Sequence, residues 1–132
     1  AKEGEPLRPG RIYLAPGDFH MTLRSNNGVI TTHLDQSAPV NFCRPAVDPL
    51  FDSCAKVAGN GVLAVVLTGM GHDGRDGART IREAGGQVIA QDQASSVVWG
   101  MPGAVAEAGL ADQILSLKDI GPELTRRLKG PL

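Results

Sequence analysis

Val62-Leu63-Ala64-Val65-Val66-Leu67 is an unbroken apolar run that leads directly into Thr68-Gly69-Met70-Gly71-His72-Asp73-Gly74. An unalternated strand of this kind needs cover on both faces, a condition met in the middle of a parallel sheet. The following segments agree. Asp76 to Ala84 carries Ala78, Ile81 and Ala84 at helical spacing and ends at Gly85-Gly86, after which Gln87 to Ala90 reads as a strand. Strand, helix, strand is a crossover, so the two strands are expected parallel and joined with right-handed sense.

Upstream, Lys2 to Gly10 reads as a loop and Arg11 to Ala15 as a short strand stopped by Pro16-Gly17. Phe19 to Leu23 and Val29 to Leu34 alternate on either side of Asn26-Asn27-Gly28, residues suited to a tight hairpin turn. A helix starts near Asp48, which can cap it, with Pro49 at its first position. Val47, Leu50, Phe51, Cys54, Val57 and Ala58 recur at its three- and four-residue spacings, and Gly59-Asn60-Gly61 ends it. Past the second parallel strand, Val97 to Trp99 suggests a helical turn and Ala104 to Ala108 a short helix. Asp112 to Leu117 then reads as a strand and Pro122 to Leu128 as a closing helix. The expected class is α/β: a mostly parallel sheet flanked by helices on both faces, a Rossmann-like three-layer arrangement, with an N-proximal β-hairpin.

Composition narrows the function. Thirteen basic against fourteen acidic residues give a net charge of -1, which speaks against a nucleic-acid surface or a polybasic membrane surface. No apolar run reaches the ~18 residues that span a bilayer. Cys43 and Cys54 make neither a disulfide framework nor a metal pattern, and Cys54 reads as a buried free thiol. A reducing, cytoplasmic setting is the expectation.

The glycine-rich segment has two readings. Gly69-x-Gly71-x-x-Gly74 after a buried strand, with Asp92 ending the next strand, has the form of a dinucleotide fingerprint. Asp73 opposes it, because a carboxylate inside that loop sets like charges beside a pyrophosphate. The alternative uses Asp73, at the carboxyl end of a strand and cradled by glycine N–H groups, to orient a histidine during nucleophilic catalysis. Met70 would be an apolar wall beside it. A third possibility is that Asp73 only caps the next helix. His20 can reach the same rim or belong to the hairpin surface. His33 reads as structural, and the three histidines lack metal spacing. Ser95 and Ser96 stand where hydroxyl capping is the default, and no serine sits in a glycine-flanked strand-to-helix elbow. The chain shows an acid without an evident nucleophile.

Three blocks in register carry a resemblance: Ile12 to Asp18 with His20, Leu67 to Gly74, and Ala90 to Pro102. Together they resemble the catalytic domain of the bacterial chemotaxis protein-glutamate methylesterases, the CheB type, over essentially the whole chain. The resemblance implies hydrolysis of γ-glutamyl methyl esters on the cytoplasmic helices of methyl-accepting chemoreceptors, and deamidation of receptor glutamines. It implies a Ser-His-Asp triad and no cofactor or metal. By motif, Asp73 matches the triad aspartate and Met70 the cleft methionine, with Gly69 and Gly71 lining the site. His20 matches a histidine near the cleft that is not the base, and Ser95 and Ser96 are possible lining residues.

The family's serine lies in a Gly-Ala-Ser-x-Gly-Gly type turn and its base in a Gln-His segment. Both precede the Arg11 strand. Residues 1–132 are therefore expected to be the C-terminal two-thirds of such a domain, inactive alone, with the nucleophile and base segment absent. Family members usually also carry a receiver domain in cis, phosphorylated by a chemotaxis histidine kinase. A non-catalytic receptor- or protein-binding module is the main alternative, and a dinucleotide-binding oxidoreductase the next.

Overall fold

The computed structural model describes residues 1–129. Strand β1 (His20–Asn26) pairs antiparallel with β2 (Val29–Asp35) from Asn26↔Val29 out to His20↔Asp35. Asn27 and Gly28 turn the chain at φ 53° and 80°, the positive angles that match a two-residue turn to the twist of its strands. The opening segment is not the free loop expected. Buried Thr32 draws it in, its Oγ1 donating to Lys2 O and accepting from Glu5 N–H, while Leu7 N–H donates to Ile30 O. Arg11 to Ala15, expected as a strand, joins no ladder, and Ile12 and Leu14 stand exposed.

Helix α1 (Val47–Ala58) follows, ending in a single 3₁₀ turn at Gly59–Gly61. Strand β3 (Leu63–Val66), helix α2 (Arg75–Glu83) and strand β4 (Gln87–Gln91) form the expected crossover, with β3 and β4 parallel from Leu63↔Gln87 to Val66↔Ala90. Gly85 at φ 90° closes α2 as a left-handed C-terminal residue. Helix α3 (Gly100–Glu107), strand β5 (Gln113–Leu115) and helix α4 (Leu117–Lys129) complete the described chain, with β5 parallel to β4. Val97 to Trp99 is not helical, and α4 begins five residues before Pro122. At its start Ser116 O accepts from the N–H groups of Asp119 and Ile120, and the Ser116 hydroxyl donates to the Asp119 carboxylate.

One sheet face gathers Ala64, Val66, Val88 and Ala90 against Ala55 of α1, Ala78 and Ile81 of α2 and Val105 of α3. The opposite face carries Leu63, Val65, Ile89 and Gln91. There Arg127 of α4 donates to the side chains of Gln87 and Gln113, which lays α4 along it. Helices thus lie on both faces, as expected. The position of β3 is a correction. Among the described residues it has one strand neighbour, β4, and stands at an edge of the β3-β4-β5 sheet rather than at its centre, with Leu63 and Val65 half-buried. An apolar run reports that a strand's faces are covered, not how many neighbours it has. The strand buried on both faces is β4 from its second residue on, where Val88, Ile89, Ala90 and Gln91 have no exposed surface.

Cys54 is half-buried rather than fully buried, and burial pushes its thiol up; Cys43 is exposed. In α4, Glu123 is paired with Arg126 and Arg127, whose guanidinium hydrogen bonds pull its carboxyl from the usual 4.5 down to about 2. A carboxylate held below its unfolded value stabilises the folded chain above about pH 4.5 and loses that contribution as pH falls towards 2. Wild type is therefore expected to melt above Glu123→Gln at pH 6, with the gap closing by pH 2. A gap that persists unchanged at pH 2 contradicts this reading.

Candidate active site

Asp73 lies just past the carboxyl end of β3 and is 4% exposed. Its partners are not glycine amides. Oδ2 accepts from Val47 N–H at 2.6 Å, and Oδ1 from Asp48 N–H at 3.1 Å and Asn41 Nδ2 at 3.0 Å. Val47 and Asp48 open α1, so Asp73 serves the free amides of that helix rather than those of α2, which it precedes.

Asp48 performs the converse task. It does not cap its own helix: Ala46 is the capping residue and makes no side-chain bond. The Asp48 carboxylate crosses to α2, where Oδ1 accepts from Gly74 N–H at 3.0 Å and Gly77 N–H at 2.8 Å. Its Oδ2 accepts from Asn41 Nδ2 at 2.8 Å. The crossing depends on Gly77, where an added Cβ would meet Phe51 Cβ at 2.7 Å and Asp48 Oδ1 at 3.0 Å. Each helix N-terminus is thus held by an acid borne on, or just before, the other.

This arrangement removes the dinucleotide reading. The amides that would take a pyrophosphate at the start of α2 are already bound to the Asp48 carboxylate in a buried position. One oxygen of Asp92, Oδ1, is engaged as well. It accepts from the hydroxyl and the N–H of Ser95, which hold its carboxyl below the usual range.

The Thr68–Gly71 loop is stapled to the segment after β4. Gly69 N–H donates to Val98 O at 3.0 Å, Met101 N–H to Gly69 O at 2.8 Å, and Thr68 Oγ1 exchanges hydrogen bonds with Val98. Gly100 lies so close that a Cβ there would meet Gly69 O at 2.8 Å and both Gly71 N and O at 2.9 Å. Gln91, fully buried, accepts from Thr68 N–H and donates to Ser95 O, tying the two loops at their base. The pinned loop leaves Met70 80% exposed at the rim.

His20 reaches the site through backbone. It is buried, its Nδ1 accepting from Ala46 N–H at 3.2 Å, which assigns the ring proton to Nε2, 3.0 Å from Ala38 O. Both nitrogens are committed, and the ring fixes the residue preceding Val47. Ser95 Oγ donates to Asp92 and accepts from Leu117 N–H, while Ser96 Oγ donates to Asp92 O. Among the described residues no serine hydroxyl is hydrogen-bonded to a histidine ring. Sequence reasoning missed Asn41 altogether and gave Asp48 the wrong helix. The one local signal for Asp48 was an acid in a helix's first turn.

The profile of the CheB methylesterase family matches residues 1–124. The chain belongs to the CheB methylesterase family. It is 63% identical over 130 residues to a protein-glutamate methylesterase/protein-glutamine glutaminase of Maricaulis maris, covering 98% of this chain and 32% of that protein. A relative of the same name from Caulobacter vibrioides is 58% identical over 131 residues, covering 98% of this chain and 38% of its own length. The crystal structure of the Thermotoga maritima CheB methylesterase catalytic domain superposes with a TM-score of 0.91 at 45% identity, covering 94% of this chain and 66% of that one. The chain thus spans about a third of the curated relatives and about two-thirds of a CheB catalytic domain.

Proposed function

We propose that residues 1–132 are the C-terminal two-thirds of a CheB-type catalytic domain and supply the acid of a Ser-His-Asp triad, Asp73. The observation that carries this reading is the state of the Asp73 carboxylate. It is buried at the carboxyl rim of a parallel sheet, where α/β proteins gather their chemistry, and is fixed by the donors of Val47, Asp48 and Asn41. Two carboxylate oxygens offer about four acceptor sites, so one remains, on Oδ2, for an imidazole N–H.

In this scheme an upstream segment contributes serine and histidine. The serine oxygen attacks the glutamyl ester carbonyl as histidine takes its proton, and Asp73 orients the ring and stabilises the imidazolium. Backbone N–H groups hold the oxyanion, the tetrahedral intermediate expels methanol with the histidine's proton, and water repeats the sequence on the acyl-enzyme. With a glutamine substrate the same steps release ammonia. Met70 forms an apolar wall of the cleft, and neither a metal nor an organic cofactor enters. The substrates in this reading are cytoplasmic chemoreceptor helices, and a phosphorylated receiver domain in cis is the expected regulator.

A fluorophosphonate probe followed by mass spectrometry tests the division of labour. The 132-residue chain is expected to show no labelled serine. A complete domain, made by joining residues 1–132 to the upstream part of the Maricaulis maris relative, is expected to label on one upstream serine. Stoichiometric labelling of a serine within residues 1–132, quenched by Asp73→Ala, defeats the proposal. One observation favours a second reading, in which Asp73 is only the cap of α1: two of its three partners, the Val47 and Asp48 N–H groups, are the opening amides of that helix. The Asp73→Asn experiment below separates the two.

A further inference from the structure

The turn from Val40 to Cys43 contains two residues in the left-handed region, Asn41 at φ 51° and Phe42 at φ 65°. Reciprocal backbone bonds of 2.9 Å between Val40 and Cys43 close it. Asparagine tolerates that region, but phenylalanine adopts it only at a cost, so the turn holds a strained conformation. The strain accompanies the placement of one side chain. Asn41 Nδ2 lies 3.0 Å from Asp73 Oδ1 and 2.8 Å from Asp48 Oδ2, and its two hydrogens can serve both acids at once.

We infer that Asn41 is a positioning residue for Asp73, selecting which carboxylate oxygen meets the catalytic imidazole. The inference rests on the proposed role of Asp73 and deepens it. The Val47 and Asp48 amides alone would give each carboxylate oxygen one donor and leave the two equivalent as acceptors for a ring N–H. Asn41 is the only side chain among the described residues that hydrogen-bonds this carboxylate; Val47 and Asp48 contribute backbone N–H groups. Its bond completes a pair of donors on Oδ1, whereas Oδ2 receives one, from Val47. Oδ2 is thereby left as the oxygen that accepts from the ring N–H. In this role Asn41 acts through Asp73, whose carboxylate it binds.

The complete domain described above provides the test, with methanol release from methylated receptor as the assay. Asn41→Gly deletes the amide while keeping a residue at ease with positive φ. It is expected to lower kcat about 10- to 100-fold, the scale of a misplaced catalytic group, while KM changes by less than about twofold. A residue needed only for folding would instead lower the active fraction without that split once active sites are titrated. Asp73→Asn in the same domain separates the two levels. If it retains full turnover, the role of Asp73 falls and this inference with it. If it is impaired while Asn41→Gly turns over like wild type, this inference alone is overturned. Should Asn41→Gly fail to fold, Asn41→Ser, uncharged and too short to bridge the two acids, replaces it, and wild-type kcat there overturns the inference as well.

Discussion

Asp73→Asn in the complete domain is expected still to fold, about 1–3 kcal/mol less stable for the lost acceptor of Val47 N–H, and to lose about 10²–10⁴-fold in kcat. Asparagine has the same size and is itself a good N-terminal cap, so one oxygen can still accept from the Asp48 amide and Asn41 at the Oδ1 position. The amide nitrogen then occupies the Oδ2 position, where it faces the Val47 N–H and, in the triad, the ring N–H. Donors confront donors there. The imidazole loses its orienting acceptor and its countercharge, although the nucleophile is intact. Methanol release measured for both proteins decides the matter, and unchanged turnover returns Asp73 to a capping role.

Asp48→Ala is expected to be the costlier change for stability. The Asp48 carboxylate, 8% exposed, is the shared acceptor for Gly74 N–H, Gly77 N–H and Asn41 Nδ2. Truncation removes the cap of α2 and strands donors that water reaches poorly, together about 2–4 kcal/mol. Asp52→Ala, an exposed acid on the same helix, is expected to stay within about 0.5 kcal/mol of wild type. Denaturant midpoints of the 132-residue chain and the two variants provide the comparison. If Asp48→Ala is no worse than Asp52→Ala, the interhelix cap contributes little.

Local pattern carried much of the fold. The Asn27-Gly28 turn, the β3–α2–β4 crossover and the Gly85 stop are each written within a few neighbouring residues, and each lies where the sequence places it. That β3 has a single strand neighbour among the described residues was not legible, since neighbour number leaves no mark on a short apolar run. The site divided in the same way. Asp73 could be singled out because a strand end followed by glycines makes a charged side chain conspicuous. Its partners could not. Asn41 is 32 residues away and Val47 is 26 away, and nothing in Pro39-Val40-Asn41-Phe42 announces a partner across the fold. Asp48 carried a local signal that pointed to the wrong helix, because only tertiary packing at Gly77 reveals that α2 comes within reach.

The crossed caps also govern how the molecule opens. The amide protons of Val47 and Asp48 are protected by an acid at the entrance to α2, and those of Gly74 and Gly77 by an acid inside α1. Neither helix can fray at its first turn without releasing the carboxylate that seals the other. Two helix ends that would ordinarily breathe separately become one opening unit, and native-state hydrogen exchange should give these four amides a common free energy. Asp73 can leave its fixed orientation only when that unit opens, so the geometry of the acid is as persistent as the packing of the two helices.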